Sequence, residues 1–389
     1  MSAPETAPAR FALWDLGFRP FYLLASSFAA LSIALWALQV TGWLDHRYLA
    51  GSLWHAHEMV FGFVLAVIVG FLLTAGQNWA GLPTTTRTTL KLLVVLWIAG
   101  RVLVLTPFGW LAAMVTVAFP LAAAIALAVP FYKARIRRNY FFPGLLVLLA
   151  GADLWVHLSA LGVIAQPGST GIQFALDVVL LVMAIMGGRV IPMFTNNGVR
   201  GAGATRHPRL EQLALGSIIV LLIVDVLQPP AIVVATVAIV AALLHLARLA
   251  LWRPWTTLRV PLVWVLHAAY LWIPVYLLLR AASALNWLAP GIATHALTVG
   301  AIGCLTIGMM TRTARGHTGR LLVADRWEVI CYLSIFAAAV VRVFGPVVLP
   351  AAYAASVLVA AALWSTGFAL YAIRYWPVLS RGRLDGRPG

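Results

Sequence analysis

The chain has 389 residues, of which 62% are apolar and only 10% are Asp, Glu, Lys or Arg. A soluble domain carries about a quarter charged residues, so this composition excludes a wetted globular surface. The net charge of +16 would suit nucleic acid, but the basic residues sit in short loops between apolar runs, so no nucleic-acid partner is expected.

Each bilayer crossing needs roughly 20 mostly apolar residues. In chain order such runs lie at 18–40, 57–76, 90–105, 109–130, 141–164, 172–194, 210–227, 231–251, 260–282, 291–311, 327–344 and 351–375. The expected fold is all-α: one polytopic transmembrane bundle of about twelve helices, embedded in lipid, with no appended soluble domain. The runs are continuous rather than alternating, which favours helices over a membrane β-barrel. The first ten residues contain no apolar h-region, so no cleavable signal peptide is expected.

Charge orients the bundle. Arg87 and Lys91 follow the second run, and Lys133, Arg135, Arg137 and Arg138 the fourth. Arg200, Arg206 and Arg209 follow the sixth, Arg253 and Arg259 the eighth, Arg315, Arg320 and Arg326 the tenth. Arg10, Arg19, Arg381, Arg383 and Arg387 mark the two ends. The opposite side has Arg47, with Arg280 and Arg342 at span ends. The positive-inside rule then places both termini in the cytoplasm. Cys304 and Cys331 fall within spans and read as small buried hydrophobes.

Ionisable groups in hydrocarbon are costly, and each marks a candidate site. On the outer side stand His55, His57 and Glu58, then Asp153 and His157, Asp177, and His295. His55 and His57 are two residues apart and point to different helix faces. Asp153 and His157, four apart, share a face, as in a carboxylate orienting a ligand imidazole. Four histidines thus reach one depth from three spans. Haem takes axial histidines, and copper accepts imidazoles; spacing does not choose between them. The residues favour His57 and His295 as metal or haem ligands, with His55 and His157 as alternatives. Arg47, Arg101, Arg280 and Arg342 are the outer-side cations available to a haem propionate. Glu58, Asp153 and Asp177 are the candidate proton carriers. A second polar set lies at the inner side: Gln77 and Asn78, Arg189 with Thr195–Asn197, His267, Arg312 and His317. These suit a quinone or proton entry or a second cofactor pocket, and helix capping is the plain alternative. Arg189 stands out because it lies inside a span.

The segments WHAHEM (54–59), GFLLTAGQNW (70–79), GRVIPMFTNN (188–197), HALTVGAIG (295–303) and MMTRTARGHTGR (309–320), with FRPFYLLA (18–25), resemble the NnrS family across essentially the whole chain. Ala80 departs from the threonine expected after Asn78-Trp79. The resemblance implies a bacterial inner-membrane protein containing haem b and copper, linked to nitric oxide metabolism and to protection from nitrosative stress. The leading functional expectation is binding of nitric oxide, with detoxification by reduction using electrons from a quinol or another donor. The alternative is a transporter of a metal, haem or iron–nitrosyl species, for which Pro120, Pro192 and Pro274 could break helices; no internal repeat supports it.

Overall fold

The computed structural model describes residues 10–40, 42–44, 48–49 and 51–386. Arg47 and Arg387 lie outside them. The described residues form twelve long helices: α1 Phe18–Val40, α2 Gly51–Ala80, α3 Arg87–Leu103, α4 Gly109–Lys133, α5 Phe141–Ala160 and α6 Gly168–Gly198. The second half comprises α7 Pro208–Leu227, α8 Ala231–Leu251, α9 Pro261–Ala284, α10 Pro290–His317, α11 Arg326–Val348 and α12 Tyr353–Ser380. Eleven of the helices are long and apolar enough to cross a membrane. The exception is α3, at 17 residues, about 25 Å of helix against a hydrocarbon core of about 30 Å.

The expected runs all appear, most of them extended. α2 begins before His57 and ends on Gly81, whose φ of +64° is left-handed and whose N–H donates to the Gln77 carbonyl. α6 runs on through Pro192 to Gly198, so Arg189 and Thr195–Asn197 lie within the helix rather than beyond its end. Pro120 and Pro274 likewise lie within continuous helices; the breaks expected of a transporter are not formed there.

α2, α6, α9 and α10 are the most enclosed helices. α1 packs on α2 and α12, α12 on α11, α11 on α10, and α10 on α9, which also meets α6; α5 and α4 close the circuit back to α2. Two helices depart from α geometry. α2 is π-helical over Glu58–Val64, and α10 over Ala296–Gly303. Each π stretch starts directly after a candidate histidine, His57 or His295.

The two ends of the described chain meet. Phe11 bridges Arg381, the Ala12 N–H donates to the Ser380 carbonyl, and the Gly382 N–H donates to that of Arg10. The Arg19 guanidinium donates to the carbonyls of Leu379 and Arg381 at 2.8 and 2.7 Å. Both ends therefore lie on one face of the bundle, which requires an even number of crossings. The short α3 is the candidate for the twelfth.

Candidate cofactor sites

The Trp54–Glu58 segment sends its two histidines to different places, as a two-residue separation requires. His57 turns into the bundle and is fully buried. Its Nε2 lies 2.7 Å from Asp153 Oδ1 on α5, and its Nδ1 lies 2.8 Å from Glu58 Oε1. Arg101, from α3, donates to that same Glu58 oxygen at 2.6 Å. The approach depends on Gly62, where a Cβ would strike the Arg101 side chain and the Phe28 ring. One turn beyond Asp153, His157 places Nε2 2.7 Å from the Thr116 hydroxyl and 3.3 Å from Asp153 Oδ1, while Nδ1 lies 2.9 Å from the Tyr48 hydroxyl. Two carboxylates thus face one guanidinium and two imidazoles. His57, Asp153 and His157 offer ligand atoms within 4.8 Å of one another. Glu58 Oε2 and Asp153 Oδ2 are enclosed without a partner, which leaves acceptor capacity unused.

His55 faces the other way, into a cavity of about 410 Å³, within the roughly 300–1,000 Å³ typical of ligand sites. Its ring stacks on Trp36 with centroids 4.6 Å apart, and its Nδ1 is enclosed without a partner. His295, from α10, lines the same cavity, as does Arg342 from α11. The remaining walls are mostly apolar, including Phe63 and Trp364, and both π stretches contribute to them. His295 Nδ1 is 2.6 Å from the Gly291 carbonyl. A carbonyl only accepts, so Nδ1 carries the proton and Nε2 keeps its lone pair, the tautomer a metal ligand needs. The structure therefore pairs His55 with His295, and His57 with His157.

A family model described as NnrS protein matches residues 12–383. The chain belongs to the NnrS family. No curated protein matched the chain. Family membership and the membrane-spanning helices fit a multi-pass membrane protein linked to the nitric oxide response.

The NnrS segments can now be read physically. In GRVIPMFTNN, Gly188 faces a buried network that the sequence did not reveal. Arg248 of α8 grips Glu211 of α7 at 2.9 and 2.6 Å and donates to the Ala184 carbonyl and the Tyr270 hydroxyl, which also meets His245. A Cβ at Gly188 would collide with the Arg248 guanidinium. Arg189 points elsewhere, donating to Asn139 at 3.2 Å over the Phe141 and Phe142 rings. Part of the inner set comes together: His267 meets Thr195 at 2.7 Å, and Arg312 lies over the neighbouring Phe194 ring. Asp177 is buried beside Gln173, away from the cavity histidines. Of the outer cations, Arg101 is held by Glu58 and Arg280 by Asp225; Arg342 lines the cavity. Sorting the charged residues inside spans by depth would have found Glu211, Asp225 and Arg248. Nothing in the sequence pointed to Tyr48 and Thr116, which are ordinary residues for a span end.

Proposed function

We propose that this NnrS protein is a bacterial inner-membrane haem protein that binds nitric oxide and removes it, in the manner of a reductase supplied by a quinol. The observation that carries the reading is the apolar cavity into which His55, His295 and Arg342 converge. Its donor set fits haem b: two imidazoles from different helices, one with its free lone pair fixed, and a guanidinium suited to a propionate. When bound, haem supplies an iron centre that takes nitric oxide and accepts an electron. Trp36 holds His55 by stacking, and the Gly291 carbonyl fixes the His295 tautomer.

The His57–Asp153–His157 cluster suits a second metal, with copper the family's expected ion. Imidazole ligands accept it, and Glu58 on His57 Nδ1 is the carboxylate that orients such a ligand. Reducing two molecules of nitric oxide to nitrous oxide and water consumes two electrons and two protons. Glu58 and Asp153, both buried against His57, are the groups we assign to proton transfer. The basic loops favour cytoplasmic termini, which puts both sites toward the periplasm.

Haem content of purified protein tests the reading. His55→Ala and His295→Ala should each lose most of the haem absorbance, whereas His57→Ala should keep it. Full haem in both cavity variants, or no Soret band in the parent protein, overturns the assignment. Anaerobic consumption of nitric oxide by the quinol-reduced protein, followed with an electrode, tests turnover.

A further inference from the structure

A second cluster of ionisable groups lies across α6 from the cavity. Ile172 and Leu176 of α6 line the cavity, and each is followed by a polar residue about 100° further round the helix. Those residues, Gln173 and Asp177, face α7 and α9. Gln173 Nε2 donates to Asp177 Oδ1 at 3.0 Å and reaches Asp225 Oδ2 of α7 at 3.4 Å. Arg280 of α9 donates to Asp225 Oδ1 at 2.5 Å. Asp177 is 1% exposed and Tyr276 2%. Asp177 Oδ2 and the Tyr276 hydroxyl are both enclosed without a hydrogen-bond partner. Tyr276 stands among Asp177, Gln173, Asp225 and Arg280.

Charge decides what this cluster does. Two carboxyl groups face one guanidinium, so with both ionised one negative charge would stand uncompensated in apolar surroundings, at a cost of several kcal/mol. Carboxyl groups sharing a site meet this by keeping one proton between them. Asp225 has the arginine, 2.5 Å from its Oδ1. Asp177 receives only a neutral amide, and that amide fills Oδ1, leaving Oδ2 for the proton.

We propose that Asp177 is a proton-storage site, holding one proton on Oδ2 at neutral pH. The groups facing it are Gln173 on its own helix, Asp225 from α7, and Tyr276 and Arg280 from α9. Arg280, near the end of α9, has 24% of its side chain exposed, so the Arg280 end is the side from which protons would enter. The proposal gives the proton role expected of Asp177 a location and a mechanism, and it stands whether or not haem occupies the cavity.

Infrared spectroscopy of the full-length protein, in water and in deuterium oxide, reads the proton directly. A protonated-carboxyl C=O band that shifts in deuterium oxide is expected, and Asp177→Asn should remove one carboxyl's worth of it. Asp225→Asn should remove it too, because Arg280 is then free to ionise Asp177. It also serves as the second variant should Asp177→Asn fold poorly. Unchanged band intensity in both variants overturns the proposal. So does a sodium-dependent thermal shift, absent in Asp177→Asn, that accompanies a fully ionised pair, because the site would then hold a cation. Haem absorbance measured on the same samples separates this outcome from failure of the cofactor reading.

Discussion

At Gly188 a hydrogen in place of a methyl group lets the Arg248–Glu211 pair close against α6. An added Cβ meets guanidinium and carboxylate together, and a displaced buried ion pair has no water to return to. Gly188→Ala should therefore cost about 1–3 kcal/mol, read as a lower melting temperature in detergent. Gly216, inside α7, has open space where its Cβ would stand; Gly216→Ala should stabilise by about 0.5–1 kcal/mol through helix propensity. The opposite signs of two identical substitutions isolate the contact from the residue type. Glu58→Gln keeps the shape of the carboxylate but not its charge, and should weaken metal binding at the His57 cluster on the order of 10–100-fold, measurable by competition with a chelator. At this scale the sequence was half legible. The histidines announced themselves as ionisable groups in apolar runs, and the two-residue step between His55 and His57 foretold that they part company. Which partner each would meet depends on helix packing that no local pattern encodes.

The two π stretches are the features of the helices that hydropathy conceals. A π turn accommodates an extra residue without interrupting an apolar run, so Glu58–Val64 and Ala296–Gly303 read in sequence as ordinary span interior. Their glycines hint at close packing: a Cβ at Gly300 would enter the Trp272 ring, and one at Gly303 the Trp364 ring. Deleting Thr298 should convert the second stretch to α-helix and swing His295 by about 100° relative to the rest of α10. Haem content is then expected to fall as in His295→Ala while the protein still inserts and purifies. Helix boundaries were more legible where capping chemistry is local. Asp325 and Glu328 form a capping box at the start of α11, with Arg374 2.8 Å from Asp325. Burial works against the Asp325 carboxylate, but the Glu328 and Trp327 N–H groups and Arg374 outweigh it and hold the group below its usual range. The stabilisation is thus complete above the unfolded value, near 3.9, and is lost as pH falls through the folded one. Asp325→Ala should cost about 1 kcal/mol at neutral pH, and the melting temperatures of parent and variant should converge in acid.

For the molecule as a whole, hydropathy made the bundle and its long helices legible, because the length of an apolar run follows from the thickness of a bilayer. The short α3 was the uncertain element, and the meeting of the described ends argues for its crossing through parity. Reporters inserted before and after α3 should therefore report opposite compartments, and fusions at the two termini the same one. A matched pair across α3 would mean that it lies along the bundle surface. The arrangement of helices, and with it the cavity, was not legible, since every span offers apolar residues on most of its faces and packing selects among them. The joined ends carry one more implication. Phe11 and Arg381 already bring the two described ends together, so a linker in place of residues 1–9 and 387–389 could join them and the chain could be opened elsewhere. A circular permutant opened in the Arg253–Arg259 loop would begin and end on the same side as the native protein, with every basic loop still on its original face. It should fold with an unaltered cavity, which would make the order of helix synthesis separable from the structure it produces.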